Sequence, residues 1–369
     1  MATTTEKINK DKTERTYPQI STLPASLLPT TPSNHQDTSR RIIIIGDVHG
    51  HLKALEALLH KAEFSTSRGD TVVFAGDLVN KGPDSAGVIA LAMRIGAFGV
   101  RGNHEDRVLR AWKYYESKHT KRREHGEDGR TSSNRMKPHH ADLVTAKSLK
   151  PEHRAWLSGL PLILRIGDLG PRYGEVLTVH AGLVPGIPLE SQDPEAVMNM
   201  RTLLQPSKAH ASDDREEPPI ADQTSESQYD QTAYEPDYTD QRVKKREPMV
   251  PSPYRHGAPW AKVWTSYQTS RISSRPHTPP TTVVYGHDAK AGLQMRRYTF
   301  GLDSGCARDK TLTGVIFEYA ANSHGEHDLE GQGIEAGEDD WDISATTGES
   351  LESQSWPKIR HRLVSVSCA

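Results

Sequence analysis

The sequence predicts an α/β fold with parallel strands and helices packed on their faces, and three observations support it. Apolar runs of strand length alternate with segments whose apolar residues recur at helical spacing. The strand-like runs stop abruptly at a glycine beside a carboxylate, an amide or an imidazole. Long polar tracts flank the apolar part of the chain and interrupt it once. In such folds, sites form off the carboxyl ends of the strands, so the residues there carry the functional reading.

"RIIIIGD" (41–47) is a continuous apolar run, as expected of a strand covered on both faces. In "HLKALEALLHKAEF" that follows, Leu52, Leu55, Leu58, Leu59 and Ala62 mark one helical face. "TVVFAGD" (71–77) is the next strand, "SAGVIALAMRIGA" a second amphipathic helix, and "AFGVRGNHE" closes a β-α-β-α-β unit. Two later runs, "GEVLTVHAG" and "TTVVYGHD", read as further buried strands. "WAKVWTSY" spaces its tryptophans by four, which suits a packed helix better than a base-stacking platform.

The polar tracts set the domain expectation. Residues 1–40 are rich in Thr, Pro, Ser and charge without periodic apolar pattern, and are expected to be a disordered tail. A catalytic-size domain spans 41–320, interrupted by a disordered insertion at about 205–258. Residues 321–369 read as an acidic, mostly disordered tail whose last stretch, "PKIRHRLVSVSCA", could return as a short strand.

Composition excludes several functions. With 34% hydrophobic residues in 369, the chain is too polar to order throughout. Mean hydropathy of −0.68 agrees with this. A formal charge of −2 gives no global field for nucleic acid or anionic membrane. The two cysteines, Cys306 and Cys368, exclude a disulfide framework and a cysteine-type zinc site, and fit a reducing compartment. Cys306 has no activating base in sequence, so it reads as a small buried residue. Without an apolar leader or a membrane-length run, the expectation is a cytoplasmic protein with no membrane partner.

Five apolar runs end in Gly-Asp-Val-His-Gly (46–50), Gly-Asp (76–77), Gly-Asn-His-Glu (102–105), His-Ala-Gly (180–182) and Gly-His-Asp (286–288). Singly, each has a bland reading as a turn, a cap or a core histidine. Together, in order and each behind a strand, they gather carboxylate, amide and imidazole side chains at one edge of the sheet, about six candidate ligands in all. A mixed oxygen and nitrogen donor set without cysteine suits Mn, Fe or Zn. Six ligands are too many for one tetrahedral ion and suit two ions sharing a carboxylate. A dinucleotide-binding reading fails, because the first strand leads into Gly-Asp-Val-His-Gly and not into a Gly-x-Gly-x-x-Gly loop.

These motifs resemble those of the calcineurin-like metallophosphoesterases of the phosphoprotein phosphatase type. The resemblance implies a β-sandwich flanked by helices and two divalent metal ions. Asp47 and His49 would hold the first, Asp77 would bridge, and Asn103, His180 and His287 would hold the second. His104 would serve as catalytic proton donor, and a metal-bridging hydroxide would attack phosphorus in line. "GDLVNKGPDS", "HAGLVPG", "NMRTL", "VYGHDAKAGL" and "GLDSGCA" look like the diadenosine tetraphosphatase-like branch, and within it most like the fungal zinc-dependent endopolyphosphatase group.

Protein phosphatases of this type carry Asp and Arg where this chain has Asn80 and Lys81. An amide can orient His104 but cannot favour its imidazolium, and a lysine offers a point charge where arginine offers a fork. A weaker acid matters less for a phosphate leaving group than for a serine alkoxide. The expectation is therefore hydrolysis of phosphoanhydride bonds in polyphosphate, with Lys81 and Arg201 as substrate-phosphate contacts. Arg201 has a bland alternative as a surface helix arginine. The competing expectations are a bis(5'-nucleosyl)-tetraphosphatase, a protein serine/threonine phosphatase and a non-catalytic scaffold. The 205–258 insertion is a candidate docking segment for a regulatory partner.

Overall fold

The computed structural model describes residues 19–29, 40–125, 137–206, 248–320 and 359–369, with 120–125 as backbone alone. The predicted β-α-β-α-β unit is present. Strands β2 (Ile42–Ile45), β3 (Thr71–Phe74) and β4 (Phe98–Gly99) pair in parallel, with helices α1 (Leu52–Lys61) and α2 (Ser85–Arg94) as crossovers. Antiparallel to β2 runs β13 (Thr311–Tyr319), and β14 (Ile359–Ser367) pairs antiparallel with β13. The five-stranded order is β14-β13-β2-β3-β4.

The later strands do not extend this sheet. Strands β1 (Ile20–Thr22), β5 (Ile163–Asp168), β6 (Glu175–Val179), β10 (Thr281–Tyr285), β12 (Thr299–Gly301) and β11 (Gln294–Arg296) form, in that order, a second sheet of six. The single parallel sheet implied by strand alternation is thus corrected to a sandwich of two mixed sheets, as the family resemblance implied. The alternation of apolar runs reports burial on both faces, but not which strand lies beside which.

Side-chain direction shows how the layers assemble. All four residues of Ile42–Ile45 are fully buried. Ile42 and Ile44 point between the sheets, where they meet Val73, Val284, Phe300, Val315 and Phe317. Ile43 and Ile45 point the other way, against Leu55 and Leu58 of α1 and Val88 and Ile89 of α2. Burying each such side chain contributes about 1.5–3 kcal/mol. Asp84 caps α2 by accepting from the Gly87 backbone N–H at 2.7 Å. The outer face of the six-stranded sheet is covered by α6 (Pro194–Asn199) and α7 (Trp260–Ser274), through Trp260 and Trp264. The tryptophan spacing is therefore core packing, as read from the sequence.

The tail boundaries need correction. Ile20–Thr22, inside the expected N-terminal tail, pairs in parallel with β5, and Leu23 beside it is 2% exposed. Three residues are too few for a periodic signal, and a free edge of β5 supplies the hydrogen bonds. At the other end, "PKIRHRLVSVSCA" returns as the nine-residue strand β14. Within the expected insertion, β8 (Val250–Ser252) and β9 (Ala258–Pro259) pair with β7 (Thr202–Leu204). The remainder, 207–247, and the acidic stretch 321–358 lie outside the described residues.

The cysteine reading is also corrected. Cys306, in the turn after β12, and Cys368, just past β14, form a disulfide across 62 residues of sequence. This pairing removes the cysteine argument for a reducing compartment. Two cysteines far apart in a polar chain carry no pairing signal until both sheets have formed. Among the described residues, no helix is long and apolar enough to cross a membrane.

Candidate metal centre

The sandwich brings the predicted strand exits together from both sheets. Asp47 and His49 follow β2, Asp77 follows β3, and Asn103 and His104 open α3 (Asn103–His125) after β4. His180 follows β6 and His287 follows β10. The turns are strained: His49, Asp77, Asn80, Lys81 and His287 all have positive φ, between 46° and 74°. Left-handed backbone costs a non-glycine residue about 1 kcal/mol or more, so surrounding structure must hold it. Here the amides of Val48 and His49 donate to Asp77 O at 3.2 and 2.9 Å, and Gly82 N donates to His49 O at 2.7 Å. Two glycines give the donors room. A Cβ on Gly76 would lie 2.6 Å from His180 Nδ1, and one on Gly286 would lie 2.0 Å from Asp47 Oδ1.

Asp77 is central. Its Oδ2 lies 3.6 Å from His49 Nε2 and 3.9 Å from His104 Nε2, while its Oδ1 lies 3.4 Å from His180 Nε2. His49 Nε2 is also 3.8 Å from Asp47 Oδ2, and His180 Nε2 is 3.0 Å from Asn103 Oδ1. Two buried groups, His49–Asp77–His104 and Asp47–Asp77–His180, each converge donor atoms within 4.8 Å of one another. His287 joins differently: its ring stands edge-on to His180 at 5.0 Å, and its backbone N–H donates to Asp47 Oδ1 at 3.1 Å.

The hydrogen bonds behind these rings define which nitrogen faces the centre. His49 Nδ1 donates to Val79 O at 3.1 Å and His180 Nδ1 donates to Ala75 O at 2.9 Å, so both Nε2 atoms present bare lone pairs. His287 Nε2 donates to Asn199 O at 3.0 Å, which leaves Nδ1 as its unprotonated nitrogen. Carboxylate oxygens, an amide oxygen and unprotonated nitrogens thus converge with few hydrogens to share. Such a set fits a cation, and the carbonyl behind each imidazole is the usual outer support of a metal-binding histidine.

Electrostatics point the same way. Burial, with Asp303 and Asp77 nearby, raises the Asp47 carboxyl well above its ordinary range. Burial pushes Asp77 up to about 7. Burial and then the Lys81 ammonium hold His49 down at about 3, and burial lowers His104, His180 and His287. Carboxylates are costly to ionise here and imidazoles costly to protonate, and a bound divalent cation reverses the first while keeping the second.

Lys81 and Arg201, the two expected phosphate contacts, also lie near the centre. Lys81 Nζ lies 3.2 Å from His49 Nε2. Arg201 sits between α6 and β7 and not on a helix surface; its Nη1 donates to Pro253 O at 2.9 Å. Burial lowers its guanidinium from the ordinary value, against the pull of Asp303, Asp77 and Asp47.

Sequence reasoning missed three supporting carboxylates. Glu105 is fully buried and accepts from four backbone amides, Asp77, Leu78, Val79 and Gly102, at 2.8–3.2 Å. Asp303, 4% exposed, stands beside Asp47. Asp142, 2% exposed, bonds Asn80 from helix α4 (His140–Ser148). Glu105 and Asp303 lay inside quoted motifs, so their strings were a signal although their roles were not. Asp142 had none.

A pair of carboxylate- and imidazole-lined half-sites sharing one aspartate is the architecture of a binuclear phosphohydrolase. The model of the calcineurin-like phosphoesterases matches residues 40–290, and the chain belongs to that family of hydrolases, which work with two divalent metals. It is similar to the zinc-dependent endopolyphosphatase of Saccharomyces cerevisiae, at 24% identity over 83% of this chain and 86% of the relative. It is 33% identical to the symmetrical bis(5'-nucleosyl)-tetraphosphatase of Photorhabdus laumondii over 40% of this chain, a match spanning 46% of that relative. A crystal structure of a protein provisionally named a diadenosine tetraphosphatase superposes with a TM-score of 0.51. That pair is 28% identical, covering 81% of this chain and 94% of the other.

Proposed function

We propose that the chain hydrolyses phosphoanhydride bonds in phosphate chains, with inorganic polyphosphate as substrate. The observation that carries this reading is the shared carboxylate: each Asp77 oxygen faces a different bare histidine nitrogen, at 3.6 and 3.4 Å. Asp47 and His49 would hold one cation, Asn103, His180 and His287 the other, with Asp77 between them. When bound, two such cations lower the pKa of a water and neutralise phosphoryl oxygens. Lys81 and Arg201 place two further positive charges beside the same centre, suited to a substrate that is anionic along its whole length. His104 Nε2 faces the locus and would meet the leaving oxygen. Asn80, in place of a carboxylate behind His104, suits a leaving group that needs no strong acid. The likeness to an endopolyphosphatase over most of both chains supports the same substrate.

The nucleosyl-tetraphosphatase relatives favour a second reading, in which the phosphate chain is capped by nucleosides. A competition separates the two. Metal-reconstituted protein is offered long-chain polyphosphate, diadenosine tetraphosphate and a phosphoserine peptide with Zn, Mn or Mg. Shortened polyphosphate chains are the expected result. Preference for the dinucleotide would move the protein to the second reading. Preference for the peptide would overturn the argument from Asn80.

A further inference from the structure

Asn80 makes two hydrogen bonds with one nitrogen. Its Nδ2 lies 3.0 Å from His104 Nδ1 and 2.9 Å from Asp142 Oδ1. Arg107 of α3 reaches the other oxygen of Asp142, with Nε and Nη2 each 3.0 Å from Oδ2. Asp142 is therefore a carboxylate with one oxygen given to a guanidinium and the other to the amide.

Those partners dictate where hydrogens lie. A carboxylate only accepts, so Asn80 must turn its NH2 towards Asp142. That same NH2 is what His104 Nδ1 meets, and an NH2 only donates. Nδ1 must then be the bare nitrogen of the ring, and the ring hydrogen sits on Nε2. The reverse amide would put oxygen 2.9 Å from Asp142 Oδ1, two acceptors face to face in a buried site. Asn80 Oδ1 is buried without a hydrogen-bond partner, so the amide is oriented by Asp142 and not by its own oxygen.

We propose that Asp142 is a positioning residue: through Asn80 it holds His104 with its hydrogen on Nε2, as a neutral hydrogen-bond donor to the leaving oxygen. This rests on the phosphohydrolase reading above and deepens its substrate class. As water oxygen bonds to phosphorus, the bond from phosphorus to the leaving oxygen breaks and its electron pair departs on that oxygen. The water protons pass to solvent, and His104 keeps its own. Such a site serves leaving groups that depart as stable anions, as the phosphate end of a cleaved anhydride does, and discriminates against alkoxides.

The test exchanges the two groups. Asn80→Asp with Asp142→Asn keeps both shapes, lets residue 142 donate its NH2 to the new carboxylate, and leaves its oxygen to Arg107. The accepting carboxylate then faces Nδ1, which must carry a hydrogen. Long-range ¹H–¹⁵N spectra of histidine-labelled, zinc-reconstituted protein read this, with His104→Gln identifying the signal. The expected wild-type signature is the Nε2–H tautomer, and the exchange should move hydrogen onto Nδ1. The rate on a phosphoserine peptide relative to polyphosphate should rise about tenfold or more.

A wild-type Nδ1–H signature would overturn the proposal, as would an unchanged substrate ratio in the exchange. A cycle with Asn80→Ala guards against misfolding of the exchange variant. Asp142→Asn should alter the ratio when Asn80 is present and not when it is absent. An equal effect in both backgrounds would show that Asp142 does not act through Asn80. An Nε2–H signature in a protein that cleaves no phosphate chain would support the positioning and overturn only the polyphosphate reading.

Discussion

The half of the centre built by the five-stranded sheet is held by hydrogen bonds among its own turns, whereas the half built by the six-stranded sheet borrows hydrogen bonds from the first, at Ala75 O and Asp47, and adds packing. In the first, the turns after β2 and β3 are cross-linked by Val48, His49 and Gly50 amides donating to Asp77 and Leu78 carbonyls. Glu105 gathers three more amides of the turn after β3, and that of Gly102 after β4. In the second, His180 and His287 meet ring against ring, and His287 is oriented by Asn199 O at the end of α6. The strained turns of the first half thus sit in a dense local hydrogen-bond net, while His287, strained as well, and His180 depend on Asp47 and Ala75 of the first half and on how α6 seats on its sheet. Metal affinity of the two halves should accordingly respond to different perturbations.

The largest effect should come from the residue both halves share. Asp77→Asn is expected to lower kcat by about 10³-fold or more while leaving the circular dichroism spectrum unchanged. Bound metal, measured by elemental analysis, should fall with it. Unaltered metal content and turnover would separate Asp77 from both halves.

Next comes the link between the turn after β12 and the end of β14, which pins the edge strand of the five-stranded sheet to the turn leading into its neighbour β13. Closing 62 residues of chain is worth about 4 kcal/mol in the loop-entropy picture. Cys368→Ser should lower the unfolding free energy by roughly 2–4 kcal/mol in denaturant titration. The loss should appear without a reductant and should not grow when one is added.

Glu105→Gln sharpens the contrast between halves. Burial raises Glu105 to about 7, with Asp77 adding to the effect, yet its oxygens are acceptors for four amides. An amide side chain offers one oxygen and turns an NH2 towards N–H groups, for a destabilisation of about 2–3 kcal/mol. The His287 signal in histidine-labelled spectra should move less than those of His49 and of His180, whose charge Glu105 faces. The opposite order would reverse the comparison.

The smallest effect probes the layer between the sheets. His361 of β14 packs on Phe300 at 4.9 Å and bonds Tyr173 OH at 2.9 Å. Burial, and then Arg172, hold its imidazole down at about 4. Between that value and the unfolded value of about 6.5, the unfolded chain takes up a proton more readily. The contribution is therefore complete above pH 6.5 and is lost as pH falls towards 4, by on the order of 1–2 kcal/mol after solvent screening. His361→Gln should flatten this slope in denaturant titrations across the same window.

Much of the centre was legible because its donors sit within a few residues of an apolar run. Asp47, His49, Asp77, Asn103, His180 and His287 each follow a strand, and strand burial is written in local composition. Asn80 and Lys81 stood out by departing from a familiar string. Residues with no such address stayed silent. Asp142 is 62 positions from the amide it orients, in a helix whose sequence resembles any solvated helix. Arg107 was inconspicuous for the same reason.

Chain chemistry alone was enough to establish the alternation of strands and helices, the strand-end donor set and the mixed oxygen and nitrogen character of the centre, because each depends on neighbours along the chain. Pairing of the strands into two sheets, capture of Ile20–Thr22 at an edge, closure of Cys306 on Cys368 and the hydrogen-bond direction at His104 all depend on residues far apart in sequence. Their free energies come from contacts that exist only once the layers have packed, so no local pattern encodes them.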